Sequence, residues 1–451
     1  MSGFMRSWRQ DQYLGRILRN SGYLFSSNSI STVLSAIQGI IAARLLGVEA
    51  YGLVAGTVIV FVSNINRLLS FRMSEVVVKY LGQAITEGKQ ERAAAIVKRA
   101  GLTEAITSLV AYLVLLLLAP LAAQYLAKDP AAAPLFAFYG LVILANAVYE
   151  TSTGALQVTG RFDRLALVNL IQSVVTVSLI GLAFLVQGSV VEVLGAYLLG
   201  KSLAGVMIFV FAVRQLNRTL AAGWWRIPLR VFHDWKEAAR FAVSTNLNGT
   251  VNLIVRDSET LIIAAFRPQA EVGYFRIALS LINLVMMPIE PFIGPTYAEI
   301  ARVLSQCQWR LTRGLLKRVS TISGIWTVSI GLFLVIAGPW LIAWLYGADY
   351  SPAYPAVLIL LVGYGWANTF QWNRTLMLAL GMPVFPLLVS ASVGLFKTGF
   401  SLALVPAYGY LVEACILSVY FLISVSTIMW RGMRELHQRE SSAEQPIPVV
   451  S

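Results

Sequence analysis

The sequence predicts an all-α polytopic membrane protein of about twelve transmembrane helices, arranged as two pseudo-symmetric six-helix bundles. Three observations carry that prediction. First, 57% of the 451 residues are apolar, only 13% are charged, and the mean hydropathy is +0.70, well above what a chain folded in water shows. Second, apolar runs of roughly 20 residues recur, each long enough to cross a bilayer as a helix. Third, the turns between those runs repeat at a fixed offset.

The runs place helices at about 23–46, 52–71, 100–120, 135–158, 165–187, 190–213, 241–266, 273–298, 319–346, 353–380, 383–405 and 409–430. A closed barrel is excluded because alternating strands are absent. The seventh and eighth spans are the weakest, since Arg256, Asp257, Glu259 and Glu290 interrupt them. Residues 1–22 read as a cytoplasmic amphipathic segment that mixes Trp8, Tyr13 and Leu14 with four arginines. An N-terminal bundle then covers 23–213, a cytoplasmic linker 214–240 and a C-terminal bundle 241–430. The tail 431–451 reads as cytoplasmic and disordered, rich at its end in Ser, Glu, Gln and Pro. The first apolar run, from Tyr23, is too long for a cleaved signal and is expected to remain as the first span.

Charge sets the orientation. With a cytoplasmic N-terminus, most of the 35 basic residues fall in inside segments, and only Arg44, Lys128, Arg267 and Arg276 fall outside. That bias follows the positive-inside rule, with both termini cytoplasmic. The net charge of +13 is thereby explained by loops facing an anionic leaflet, with no call for nucleic acid.

The repeat is read from Gly52 and Gly273, Tyr125 and Tyr346, Pro134 and Pro355, and Gly160 and Gly381, each pair 221 residues apart. One offset serving separate turns indicates duplication of a six-helix unit. An even number of spans makes the repeat parallel.

The segments Ala43-Arg-Leu-Leu-Gly-Val-Glu-Ala-Tyr-Gly52, Arg267 to Ala278 and Leu345-Tyr-Gly-Ala-Asp-Tyr350 resemble the recurrent turns of polysaccharide (O-antigen) flippases. These Wzx-like proteins belong to the multidrug/oligosaccharidyl-lipid/polysaccharide exporter superfamily. The resemblance spans nearly the whole chain and implies two bundles around a central cavity that opens alternately to either side. It implies no enzyme activity and no cofactor. The implied substrate is an oligosaccharide on undecaprenyl diphosphate, moved across a bacterial inner membrane for surface polysaccharides such as O-antigen or exopolysaccharide. Membrane lipids and the polysaccharide polymerase machinery are the implied partners. A cation-coupled multidrug or small-solute exporter of the same superfamily is the alternative.

Charges within a bilayer are functional candidates by default. Arg67 shares a helix face with Ser63, Ser70 and Ser74; Arg256 shares one with Asn252 and Glu259. A guanidinium offers a fork of donors suited to diphosphate oxygens. Arg256 has two readings: a cavity lining, or a packing salt bridge to Asp257 or Glu259. Lys397 and Arg374 are further candidate cations, and Arg374 lies near enough to a membrane end to snorkel. Asp257, Glu259 and Glu290 are candidate ion-coupling carboxylates or, equally, partners of the arginines. Asn28, Gln38 and Asn252 are candidate sugar contacts or interhelical hydrogen bonds. The run Gly195 to Ser202 fits a phosphate-loop pattern around Lys201, but it sits inside an apolar helix whose amides are already bonded, so nucleotide binding is set aside. His233 and His437 fall in loops, which leaves no metal site within the membrane.

The topology is testable in a background with Cys307 and Cys415 replaced. Cysteines placed at Gly88 and Gly223 are expected to resist a membrane-impermeant thiol reagent added from outside. Labelling of either would overturn the arrangement and, with it, the parallel repeat.

Overall fold

A computed structural model describes residues 12–220, 223–232, 234–256 and 258–444. Their regular structure is helical. Nine helical stretches among the described residues are long and apolar enough to cross a membrane. The chain is a multi-pass membrane protein, as the composition requires.

Helix α1 (Gln12–Tyr51) runs into a π-helical turn, Gly52–Val58, and then α2 (Ile59–Leu69). Two predicted spans thus form one nearly continuous stretch. They are separated only where Gly47 takes φ 73°, a conformation that glycine adopts without steric cost. There follow α3 (Gln90–Ala122), α4 (Ala133–Ala145), α5 (Tyr149–Val158), α6 (Phe162–Leu185) and α7 (Val190–Thr219). The second half comprises α8 (Trp235–Arg256), α9 (Glu259–Phe266), α10 (Gln269–Met286), α11 (Glu290–Ser305), α12 (Trp309–Leu345), α13 (Ala353–Thr369), α14 (Trp372–Ala379), α15 (Val384–Tyr408) and α16 (Tyr410–Glu444). The weak seventh and eighth spans are therefore assembled from pairs of shorter helices, α8 with α9 and α10 with α11. Pro288 and Pro291 flank the second of these joints.

The fourth span of each half is broken in the same way, between α4 and α5 and between α13 and α14. The short helix after each break is followed by a left-handed glycine, Gly160 at φ 70° and Gly381 at φ 80°. The sequence repeat is thus a repeat of chain path.

The chain divides into two compact units, Met1–Leu253 and Ile254–Ser451. The first extends beyond the bundle read at 23–213 because the connecting segment packs against it. Trp224, Phe232, Ala238 and Ala242 lie in one buried cluster with Val76, Tyr80 and Ile96. Within this unit α1 lies along α6 through a ladder of side-chain donors to backbone carbonyls. Ser27 donates to Ala166 at 2.7 Å, Ser31 to Asn169 at 3.3 Å and Gln38 Nε2 to Ser173 at 3.0 Å.

In the second unit the turn Arg267 to Glu271 has a mechanical role. Glu271 pairs with Arg267 at 2.7 Å and accepts the Tyr410 amide at 3.0 Å, where α16 begins. At its other end α16 corrects the reading of a disordered tail from residue 431, since the helix continues to Glu444. Arg431 and Arg439 pair with Glu435, Glu440 pairs with Arg313, and Leu436 is fully buried. Trp430 stays exposed, with the Arg434 guanidinium 5.5 Å from its ring centre. Residues 445–451 lie outside the described residues, as do residues 1–11 of the predicted amphipathic segment.

Close approach of α13 and α16 depends on Gly363, where a Cβ would stand 2.4 Å from Ser418 Cα. Gly363→Ala is expected to cost about 1–3 kcal/mol through overpacking, read as a lowered thermal midpoint in detergent. Gly399→Ala, whose Cβ meets nothing within 4 Å, should leave the midpoint unchanged or raise it. Equal midpoints for the two variants would refute the packing account.

Candidate functional site

Where α2 ends, Ser70 turns to extended backbone. The amides released by this break need partners, because a bilayer supplies none. Neighbouring side chains provide them: Phe71 N donates to Thr107 Oγ1 of α3 at 3.1 Å, and Arg72 N donates to Asn246 Oδ1 of α8 at 2.9 Å. The Ser70 and Ser108 hydroxyls meet at 2.9 Å.

The second break, at residues 146–148, is held from α3. Glu104, 2% exposed, accepts the Glu150 and Thr151 amides, each at 2.8 Å, at the start of α5. A carboxylate at that position satisfies orphan donors and complements the positive end of the helix. Asn146 turns its amide back to Val142 at 2.9 Å. Helix α7 comes close because Gly205 has no side chain; a Cβ there would lie 2.5 Å from Ala145 O.

Between these two breaks lies a cavity of about 540 Å³. Arg67, Arg72 and Lys201 line it, with Glu104, Glu150 and Gln172. Glu150 takes Arg72 Nε at 3.3 Å, and Glu104 is engaged by the two amides. Lys201 makes no ion pair among the described residues. Cations therefore outnumber carboxylates in a polar chamber within one unit, and both carboxylates already have partners.

Of the residues singled out from sequence, Arg67 is in this cavity. Lys397 is not open to a cavity: it is 3% exposed and pairs with Glu259, itself 3% exposed, at 2.5 Å. Glu413 of α16 is fully buried in electrostatic reach of both. Arg374 is exposed on α14 and Asn28 is exposed on α1. Gln38 is spent on the contact with α6. The side chains of Asn252, Arg256 and Glu290, and all of Asp257, lie outside the described residues, as does His233.

Sequence reading passed over three cavity residues. The span read at 52–71 leaves Arg72 in the inside segment that follows, although it lies at a break within the helical path. Lys201 is a cation within a predicted span, set aside from the candidate contacts together with the phosphate-loop pattern, although a lysine in an apolar helix is signal enough. Glu104 left no pattern, because its partners are 46 and 47 positions away.

A family model described as polysaccharide biosynthesis protein matches residues 41–355. The inner membrane protein YghQ of Escherichia coli (strain K12) is 24% identical over 364 residues, covering 79% of this chain and all of YghQ. Among solved structures, an inward-facing multidrug resistance MATE family transporter of the MOP superfamily aligns with a TM-score of 0.72 at 15% identity, over 92% of this chain and 96% of that one. The lipid II flippase MurJ in an inward closed conformation aligns at 0.70 with 14% identity, over 93% and 90%.

The buried Lys397–Glu259 pair gives a stability test. Lys397→Ala removes the cation facing a buried carboxylate and is expected to cost about 3–5 kcal/mol. Lys397→Met with Glu259→Leu removes both charges and should recover most of the loss. The check is thermal unfolding of the purified variants. A single variant as stable as the wild type would show that the pair is not holding the fold.

Proposed function

Because the chain belongs to the polysaccharide biosynthesis protein family, as a membrane transport protein of the MOP superfamily fold and not an enzyme, we propose that it is a flippase for a polyprenyl-diphosphate-linked oligosaccharide. The observation that carries this reading is the cationic excess of the cavity formed by α2, α3, α6 and α7 and the break before α5. A diphosphate brings two or more negative charges and needs forked or mobile donors. Arg67 and Lys201 offer one of each, while Gln172 offers an amide for sugar hydroxyls. The volume suits a headgroup, with the polyprenyl chain left in the bilayer.

On this reading the protein works by alternating access in a bacterial inner membrane with both termini cytoplasmic, beside polymerase machinery that consumes its product. Arg256 remains a proposed further anion contact from its sequence position. Asp257 and Glu290 remain proposed coupling carboxylates on the same ground. Glu259 is a coupling group only if Lys397 releases it during the cycle. The other reading, a cation-coupled multidrug or small-solute exporter, calls for an acidic surplus in the cavity. The basic surplus disfavours it.

Charge-assisted hydrogen bonds contribute roughly 1.5–3 kcal/mol each, about tenfold to a hundredfold in affinity. Arg67→Ala and Lys201→Ala are each expected to lose that much flipping activity at normal expression, and Arg67→Lys should retain part of it. The measurement is complementation of a flippase-null strain, followed by reconstituted flipping of defined lipid-linked sugars. If the double alanine variant, well expressed, complements as fully as the wild type, the anion cavity is not the substrate site.

A further inference from the structure

A second basic cleft, of about 110 Å³, sits where the α5–α6 turn meets the last turns of α7. Arg161, Arg164, Arg214 and Arg218 line it, with Phe211, and it shares no lining residue with the cavity described above. We infer that this cleft binds the phosphate of an anionic phospholipid headgroup from the surrounding bilayer.

Two of the four guanidiniums share one carboxylate. Asp163 takes Arg161 through two hydrogen bonds of 3.0 Å and lies 3.4 Å from Arg164. Arg214 and Arg218 are exposed and have neither an ion pair nor a hydrogen bond among the described residues. Like charges one helical turn apart repel. The negative end of the α7 dipole favours cations in its last turn, which accounts for Arg218. It does not account for two more arginines brought to the same place from another element. Arg164 is further held with its guanidinium 5.2 Å from the Phe211 ring centre, a cation–π contact. Forked, partly uncompensated guanidiniums are the chemistry that receives phosphate oxygens.

The lipid, not a free anion, is indicated by the place of the cleft: Arg214 and Arg218 stand in the last turns of a helix long and apolar enough to cross a membrane, where the headgroup layer meets the protein. Basic pockets at the ends of transmembrane helices recognise anionic headgroups.

The test uses the purified full chain and a short-chain phosphatidylglycerol, read by native mass spectrometry and by titration. Arg214→Gln with Arg218→Gln changes only exposed side chains; it is expected to weaken phosphatidylglycerol binding about tenfold and to leave phosphatidylcholine binding unaltered. Asp163→Asn removes the competing carboxylate and is expected to tighten phosphatidylglycerol binding. Unchanged phosphatidylglycerol affinity in the double variant would overturn the proposal. So would displacement of the lipid by inorganic phosphate at equal concentration, which would reassign the cleft to free phosphate. Neither measurement depends on flipping, so a failure here leaves the substrate cavity untouched.

Discussion

Inside a bilayer every backbone amide and carbonyl must find its partner within the protein, and this chain breaks its helices nevertheless. At the end of α2 and between α4 and α5 the released amides are taken by Thr107, Asn246 and Glu104, side chains borrowed from other helices. Each break is affordable only because a polar side chain was placed opposite it. The polar side chains and the irregular backbone then leave a chamber that no bundle of straight helices would have. Cavity, breaks and capping residues are therefore one structure.

What could be read in the sequence follows from this. Composition and run length settle the membrane class, because the bilayer acts on whole segments and leaves its mark over some 20 residues. Arg67 was legible because a cation on a serine-lined face of an apolar helix has no cheap explanation. Glu104 was not, since a residue that caps a helix elsewhere in the chain looks like any acid near a membrane end. Arg72 misled for a related reason: charge bias separates inside loops from outside ones but cannot tell a loop from a break. Gln38 and Lys397 lay on the margin. Both patterns were consistent with a cavity or with packing, and only the positions of Ser173 and Glu259 decide.

The two units use acid and base differently although they repeat the same path. In the first, the buried carboxylate of Glu104 is satisfied by backbone amides, so the cations nearby are not consumed by it. In the second, Glu259 takes Lys397, and that cation is withdrawn from any solvent-facing role. The chain turns alike at Gly160 and Gly381, while the charged positions form a polar chamber in the first unit and an internal ion pair in the second.

Helix α16 runs for 35 residues, roughly 52 Å at 1.5 Å per residue, against a hydrocarbon core of about 30 Å. Several turns must therefore stand in the headgroup layer and beyond. The changeover is marked by Trp430, exposed, with Arg434 beside its ring, an amphipathic pair suited to the interface. Membranes of different thickness would then be accommodated by tilting the long helix, which makes lipid composition a mechanical load on the protein as well as a solvent for it.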